Sequence, residues 1–178
     1  MAGQLPPLAL MTDDARLPDP LGAAVALPRG SLVVVRARDA ARREHLGRSL
    51  LTLAKKRDLI VLIADDPGLA ARLGADGLHL PERRAPEAAH WRAVHPRWLI
   101  SAACHGTRPQ TAHVDFVFLS SAFPTRSHPG GAALGAVRAN LSALALRIPA
   151  YALGGIDARN ARLLNSFVGI AAIGALAV

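Results

Sequence analysis

Eight short apolar runs punctuate the chain, at residues 8–11, 32–35, 59–64, 77–80, 98–103, 116–119, 150–153 and 169–173. Each is hydrophobic almost without interruption and does not alternate with polar residues, as expected of strands buried on both faces. The stretches between them read as helices. Residues 40–56 put Leu46, Leu50, Leu53 and Ala54 at helical spacing. Residues 67–73 come after Asp65-Asp66, a capping pair, with Pro67 in the first turn. Residues 86–94, 107–112, 134–146 and 158–164 obey the same logic, with Asp157 as N-cap of the last.

Strict strand–helix alternation implies a parallel sheet with right-handed crossovers. Eight such units predict an α/β fold, a single compact (β/α)8 TIM barrel over residues 1–178. An open doubly wound sheet would want fewer strands, and its G-x-G-x-x-G signature after the first strand is absent. Two features depart from the pattern. Pro18, Pro20 and Pro28 confine the first helix to about residues 21–27, and the chain reads as lacking its last helix. Apolar surface left bare there is expected to be covered by a partner subunit, a homodimer being one form, or by unusual packing of the N-terminus.

Composition adds constraints. The chain is 51% hydrophobic but only 4% aromatic, which predicts a core of Leu, Val, Ile and Ala. No run of about 18 uncharged apolar residues occurs, and the start has no basic region leading into an apolar one, so neither a membrane span nor a signal peptide is expected. Cys104 is the lone cysteine, so an internal disulfide is excluded and a cytoplasmic location is expected. The formal net charge is +8, from 21 basic and 13 acidic residues, and all the basic ones except Lys55 and Lys56 are Arg. Arginine holds phosphate bidentately, which points to an anionic ligand, though solvated surface arginines read equally well. These residues are spread along the chain with no interleaved aromatics, so nucleic acid is not the expected partner.

In such barrels ligands sit at the carboxyl ends of the strands, with phosphate after the seventh and eighth. Here those ends read Ala152-Leu153-Gly154-Gly155-Ile156-Asp157 and Ile173-Gly174-Ala175-Leu176. Glycines there let backbone N–H groups approach a phosphate, although two tight turns without a ligand would look alike.

Read in order, Leu10-Met11-Thr12-Asp13, Val33-Val34-Val35-Arg36, Gly74-Ala75-Asp76-Gly77-Leu78-His79-Leu80, Phe123-Pro124-Thr125, Ala152-Leu153-Gly154-Gly155-Ile156 with Asn160, and Gly169-Ile170-Ala171-Ala172-Ile173 resemble the thiamine phosphate synthase/TenI family. The resemblance implies a (β/α)8 barrel that joins an aminopyrimidine pyrophosphate to a thiazole phosphate, expels pyrophosphate and uses Mg²⁺. It puts Arg36 at the family's pyrophosphate arginine, with Arg38 in place of a lysine and Val34 in place of a glutamine. Asp65 keeps the first metal carboxylate, whereas Arg84 stands where the second should be; Glu82 and Asp66 are the substitutes nearby. Ala103 replaces a serine and His105 is retained. Phe123-Pro124-Thr125 keeps its turn, His128 replaces a lysine that reaches pyrophosphate, and Arg126 is close by. Gly154, Gly155, Ile173 and Gly174 form the thiazole phosphate site, Gly174 replacing a serine.

Each residue also has a structural reading: Asp65 as a helix N-cap, Arg36 as a rim ion-pair partner, His79 as a structural histidine, His105 and His128 as surface groups, and Cys104 as a buried apolar residue. No compact spacing suits a structural zinc. Three functions stay open: a synthase-like transferase, a TenI-like tautomerase with His105 or His128 as acid/base, and a phosphate-binding barrel without turnover.

Overall fold

The structure is a computed structural model that describes residues 4–106, 112–125 and 132–173. Eight parallel strands close on themselves in sequence order: β1 Leu8–Met11, β2 Leu32–Val35, β3 Ile60–Ala64, β4 Gly77–Leu80, β5 Leu99–Cys104, β6 Phe116–Leu119, β7 Ala150–Leu153 and β8 Gly169–Ala172. Leu8 pairs with Ile170 and Ala9 with Ala171, which closes the barrel. The helices are α1 Pro20–Ala26, α2 Ala40–Arg57, α3 Pro67–Leu73, α4 Ala88–Val94 and α5 Gly135–Ala145.

Alternate strand residues serve two cores. Leu10, Val33, Val35, Val61, Ile63 and Leu78 face outward and pack with Leu46, Leu50 and Leu69 of α2 and α3. Ala9, Met11, Leu32, Val34, Leu62 and Ala64 face inward and fill the barrel. This double burial explains why the strands read as unbroken apolar runs.

The expectation of an all-aliphatic core needs correction. Phe116, Phe118 and Tyr151 are fully buried inside the barrel, with ring centroids 5.3–5.6 Å apart. Ala9, Ala64 and Ala171, in the same cluster, leave room for the rings, so few aromatics suffice to plug the interior. The Tyr151 hydroxyl donates to the Pro6 carbonyl at 2.5 Å, which satisfies its polar end.

Asp19, Asp39 and Asp66 cap α1, α2 and α3 by accepting from Gly22, Arg42 and Leu69 amides. The expected helix at 86–94 begins instead as a short 3-10 helix, Glu82–Glu87, and continues as α4. The expected helix at 158–164 is a turn leading into a 3-10 segment, Ala161–Leu163. Two side chains divert that backbone. Asn160 accepts from the Asp157 amide and donates to the Gly155 carbonyl, while Asn140 of α5 donates to the Leu163 carbonyl. Asp157 therefore caps a turn, not a helix. The expected helix at 107–112 falls almost wholly outside the described residues, as do residues 174–178.

Candidate functional site

The carboxyl ends of the strands surround an open cavity of about 1440 Å³. Arg36, Arg38, Asp65, His105, Thr125, Gly154, Gly155 and Ile173 all line it, so the residues singled out in sequence converge on one mouth. Arg126, His128 and Gly174 lie outside the described residues. Met11, Phe118, Leu153 and Ala171, members of the barrel plug or packed against it, form an apolar floor.

One half of the rim is built from charged side chains. Thr12 ties the ends of β1 and β2, its hydroxyl accepting from the Arg36 amide at 2.7 Å and donating to the Arg36 carbonyl at 2.9 Å. Asp13 then shares one carboxylate between Arg16 at 2.7 Å and Arg36 at 2.8 Å. The Arg16 hydrogen bond is the largest effect holding the Asp13 carboxyl well below the usual range, with the Ala15 and Arg16 amides adding to it against a contrary push from burial. Two guanidiniums on one carboxylate leave a net positive charge, and the Arg36 side chain, which lines the cavity, is still 46% exposed. The Arg38 amide donates to Asp14, while its guanidinium has no acidic partner among the described residues.

Asp65 does not cap α3; Asp66 does that. Asp65 leaves β3 in a left-handed conformation (φ 57°), one that aspartate tolerates, and its amide donates to the His79 carbonyl at 2.9 Å. Its carboxylate then meets the β4 loop. Arg84 donates to Oδ1 and to the Asp65 carbonyl, and Arg83 approaches Oδ2 at 3.4 Å. Arg84 is itself held by a two-pronged pair with Glu87, both contacts at 2.7 Å. That pair, first of all, raises the Arg84 pKa above its ordinary value and lowers that of Glu87.

This arrangement does not fit magnesium. The ion demands six oxygen ligands in near-octahedral geometry. Here Asp65 already accepts from the Arg84 guanidinium, whose positive charge offsets part of the attraction that the carboxylate would offer a dication. Among the described residues no group of three His, Cys, Asp or Glu side chains is poised around a metal position. Glu82, a substitute carboxylate in sequence, is engaged with His105 through ring Nδ1 at 2.8 Å and the backbone amide at 3.1 Å.

The other half of the rim is backbone. Gly154 and Gly155 both have positive φ, 98° and 63°. A Cβ on Gly155 would lie 2.3 Å from the Pro124 carbonyl oxygen, so glycine is required by the crossing of the loops after β6 and β7. The seam is stitched by Ala122 and Phe123 amides donating to the Leu153 and Gly154 carbonyls, at 2.9 and 3.0 Å. The Gly155 and Ile156 amides have no acceptor among the described residues.

Sequence reasoning missed Arg16 and Arg43, which also line the mouth. Arg43 starts from the first turn of α2 and reaches the Ala64 carbonyl at 3.3 Å, a span that no local pattern encodes. His79, read as structural, is buried but forms part of the cavity wall, with Nδ1 3.0 Å from the Ser101 hydroxyl and its ring edge-on to Phe118. Burial, and then the Arg36 charge, push its pKa down to about 3, so the ring is neutral. Asp115 binds Arg92 and the Ile100 amide, apart from the His79–Ser101 pair, and no Ser-His-Asp triad forms among them. Cys104 is buried and burial raises its thiol pKa, as suits an inert side chain.

Comparison with known proteins agrees with this architecture. The sequence profile of the family described as thiamine monophosphate synthase matches residues 11–176. The chain is 32% identical over 152 residues to the thiamine-phosphate synthase of Thioalkalivibrio sulfidiphilus, covering 78% of this chain and 70% of that one. It is 31% identical over 150 residues to a putative thiamine-phosphate synthase 2 of Aquifex aeolicus, covering 80% of each. Among solved structures, thiamine phosphate pyrophosphorylase from Pyrococcus furiosus superposes with a TM-score of 0.76 at 22% identity, over 93% of this chain and 84% of that one, a likeness of fold. With its profile match spanning almost the whole barrel, the chain belongs to the thiamine monophosphate synthase family.

Proposed function

We propose that this chain is a thiamine phosphate synthase-like transferase, joining an aminopyrimidine pyrophosphate to a thiazole phosphate with release of pyrophosphate. The carrying observation is that side-chain cations, and backbone amides with no acceptor among the described residues, line one apolar-floored cavity. The carbon–oxygen bond to the diphosphate breaks and its electron pair leaves with the pyrophosphate oxygen. The thiazole nitrogen then gives its lone pair to the pyrimidine methylene carbon. Arg36 and Arg38 neutralise the leaving group, with Arg126 and His128 assigned to the same task by resemblance. The Gly154-Gly155 turn, together with Thr125, Ile173 and Gly174, takes the thiazole phosphate and so orients the nucleophile. The floor of Met11, Phe118 and Leu153 keeps water from the cation.

The test is direct. Purified protein given both substrates is expected to form thiamine phosphate and pyrophosphate in equal amounts; neither product appearing would refute the reading. The His105–Glu82 pair favours a second reading, since a carboxylate-held imidazole can shuttle a proton. A TenI-like tautomerase would isomerise the thiazole phosphate alone and lose that activity in His105→Gln.

A further inference from the structure

The mismatch between the rim and a magnesium site carries an inference that rests on the transferase reading. Five arginines line the cavity, Arg16, Arg36, Arg38, Arg43 and Arg83, against three carboxylates, Asp65, Glu82 and Asp157. The carboxylate placed to take a cation, Asp65, is instead contacted by Arg83 and Arg84. Arg84 is no loosely placed surface group. Its Nε and Nη2 are fixed on Glu87, which also accepts from Trp91 Nε1 at 3.3 Å, so Nη1 is aimed at Asp65 by a tether independent of any ligand. A divalent ion at Asp65 would have to share the carboxylate with a guanidinium that Glu87 keeps in place. Behind the rim arginines Asp13 pairs with Arg16 and Arg36, and Asp66 lies 3.9 Å from Arg43, but Arg36 shares its carboxylate and Arg38 has no acidic partner among the described residues, which leaves guanidinium N–H groups for a diphosphate.

We propose that this chain grips its diphosphate without a divalent cation, Arg84 occupying Asp65 so that the arginines of the rim meet the anion directly. Arg84 is a positioning residue in this scheme: it cancels the charge of Asp65 without lining the cavity. The guanidiniums act by donating N–H bonds to the diphosphate oxygens. The broken carbon–oxygen bond leaves its electrons on pyrophosphate, and no proton or co-reactant is consumed.

The experiment titrates inorganic pyrophosphate into the full chain by calorimetry, once in EDTA and once in millimolar MgCl2. Pyrophosphate release from the two substrates is monitored in the same buffers. The expected result is an affinity in EDTA within fivefold of that in MgCl2, and turnover in both. Tightening by fivefold or more with MgCl2, or turnover only there, overturns the metal-free grip while leaving the transferase reading intact. Binding in EDTA with no turnover in either buffer upholds the grip and removes the transferase reading. No binding and no turnover in either buffer overturns both. Arg84→Asp is expected to weaken binding in EDTA at least tenfold and to make it respond to MgCl2. Unchanged affinity in a folded Arg84→Asp protein overturns the role given to Arg84. Should that variant not fold, the two wild-type titrations decide alone.

Discussion

The two halves of the mouth hold anions by opposite means. From β1 to β4 the rim is made of long charged side chains whose positions are set by one another: Asp13 between Arg16 and Arg36, Asp65 between Arg83 and Arg84, and Arg84 on Glu87. From β6 to β8 it is made of backbone, where the loop after β6 crosses Gly154 and Gly155, and where the Gly155 and Ile156 amides at the cavity have no acceptor among the described residues. Side-chain sites can be rewritten one residue at a time, because each guanidinium reaches from its own strand end. A backbone site depends on chain path and tolerates no added atom.

Substitutions break the comparison in order of size. Arg36→Ala is expected to lower kcat for pyrophosphate release by roughly 10²–10³, about 3–4 kcal/mol, with little change in the KM for thiazole phosphate. The fold survives because Asp13 retains Arg16. A rise confined to the thiazole phosphate KM would show that the halves are misassigned. Gly155→Ala adds a Cβ 2.3 Å from a carbonyl oxygen at positive φ. It is expected to cost about 3 kcal/mol, a fall in Tm of roughly 6–12 °C, and to weaken thiazole phosphate binding more than pyrophosphate binding. An unchanged melting temperature would contradict the tight loop crossing.

Acid should act through the cavity wall. His79 has a folded pKa of about 3, below the ordinary value near 6.5, so the unfolded chain takes up the proton first. Stability is whole above about pH 6.5 and declines as the pH falls toward 3, by at most about 1.4 kcal/mol per pH unit. By pH 5 this amounts to about 2 kcal/mol, and urea melts of His79→Gln should show a correspondingly shallower slope between pH 7 and 5. Equal slopes would mean that the ring is not buried neutral. The smallest effect falls on the brace of the glycine turn. Asn160→Ala removes hydrogen bonds of 2.9 Å to the Gly155 carbonyl and the Asp157 amide. It is expected to cost about 1 kcal/mol and to raise the thiazole phosphate KM without touching pyrophosphate affinity.

The barrel was legible because burial on two faces writes an uninterrupted apolar run. The runs at 8–11, 32–35, 77–80, 116–119 and 150–153 coincide with strands to the residue. The aromatic plug was not legible, since composition counts Phe116, Phe118 and Tyr151 but does not say that alanines on other strands make room for them. The segment after β7 misled because Asn160 and Asn140 bind backbone that a helix would have used. In the site, the resemblance put Arg36, Asp65 and Gly155 at strand ends, and all three line the mouth. Arg43 and the Arg84–Glu87 tether were not legible, because a guanidinium travels several ångströms from its Cα and finds partners that sequence spacing does not define.

The most direct test of an anion-gripping mouth is a crystal structure of the protein with inorganic pyrophosphate and thiazole phosphate bound together. The diphosphate is expected within hydrogen-bond reach of Arg36 and Arg38, and the thiazole phosphate on the amides of Gly155 and Ile156. Either anion bound away from this cavity, or the two exchanged between the halves, would contradict this placement.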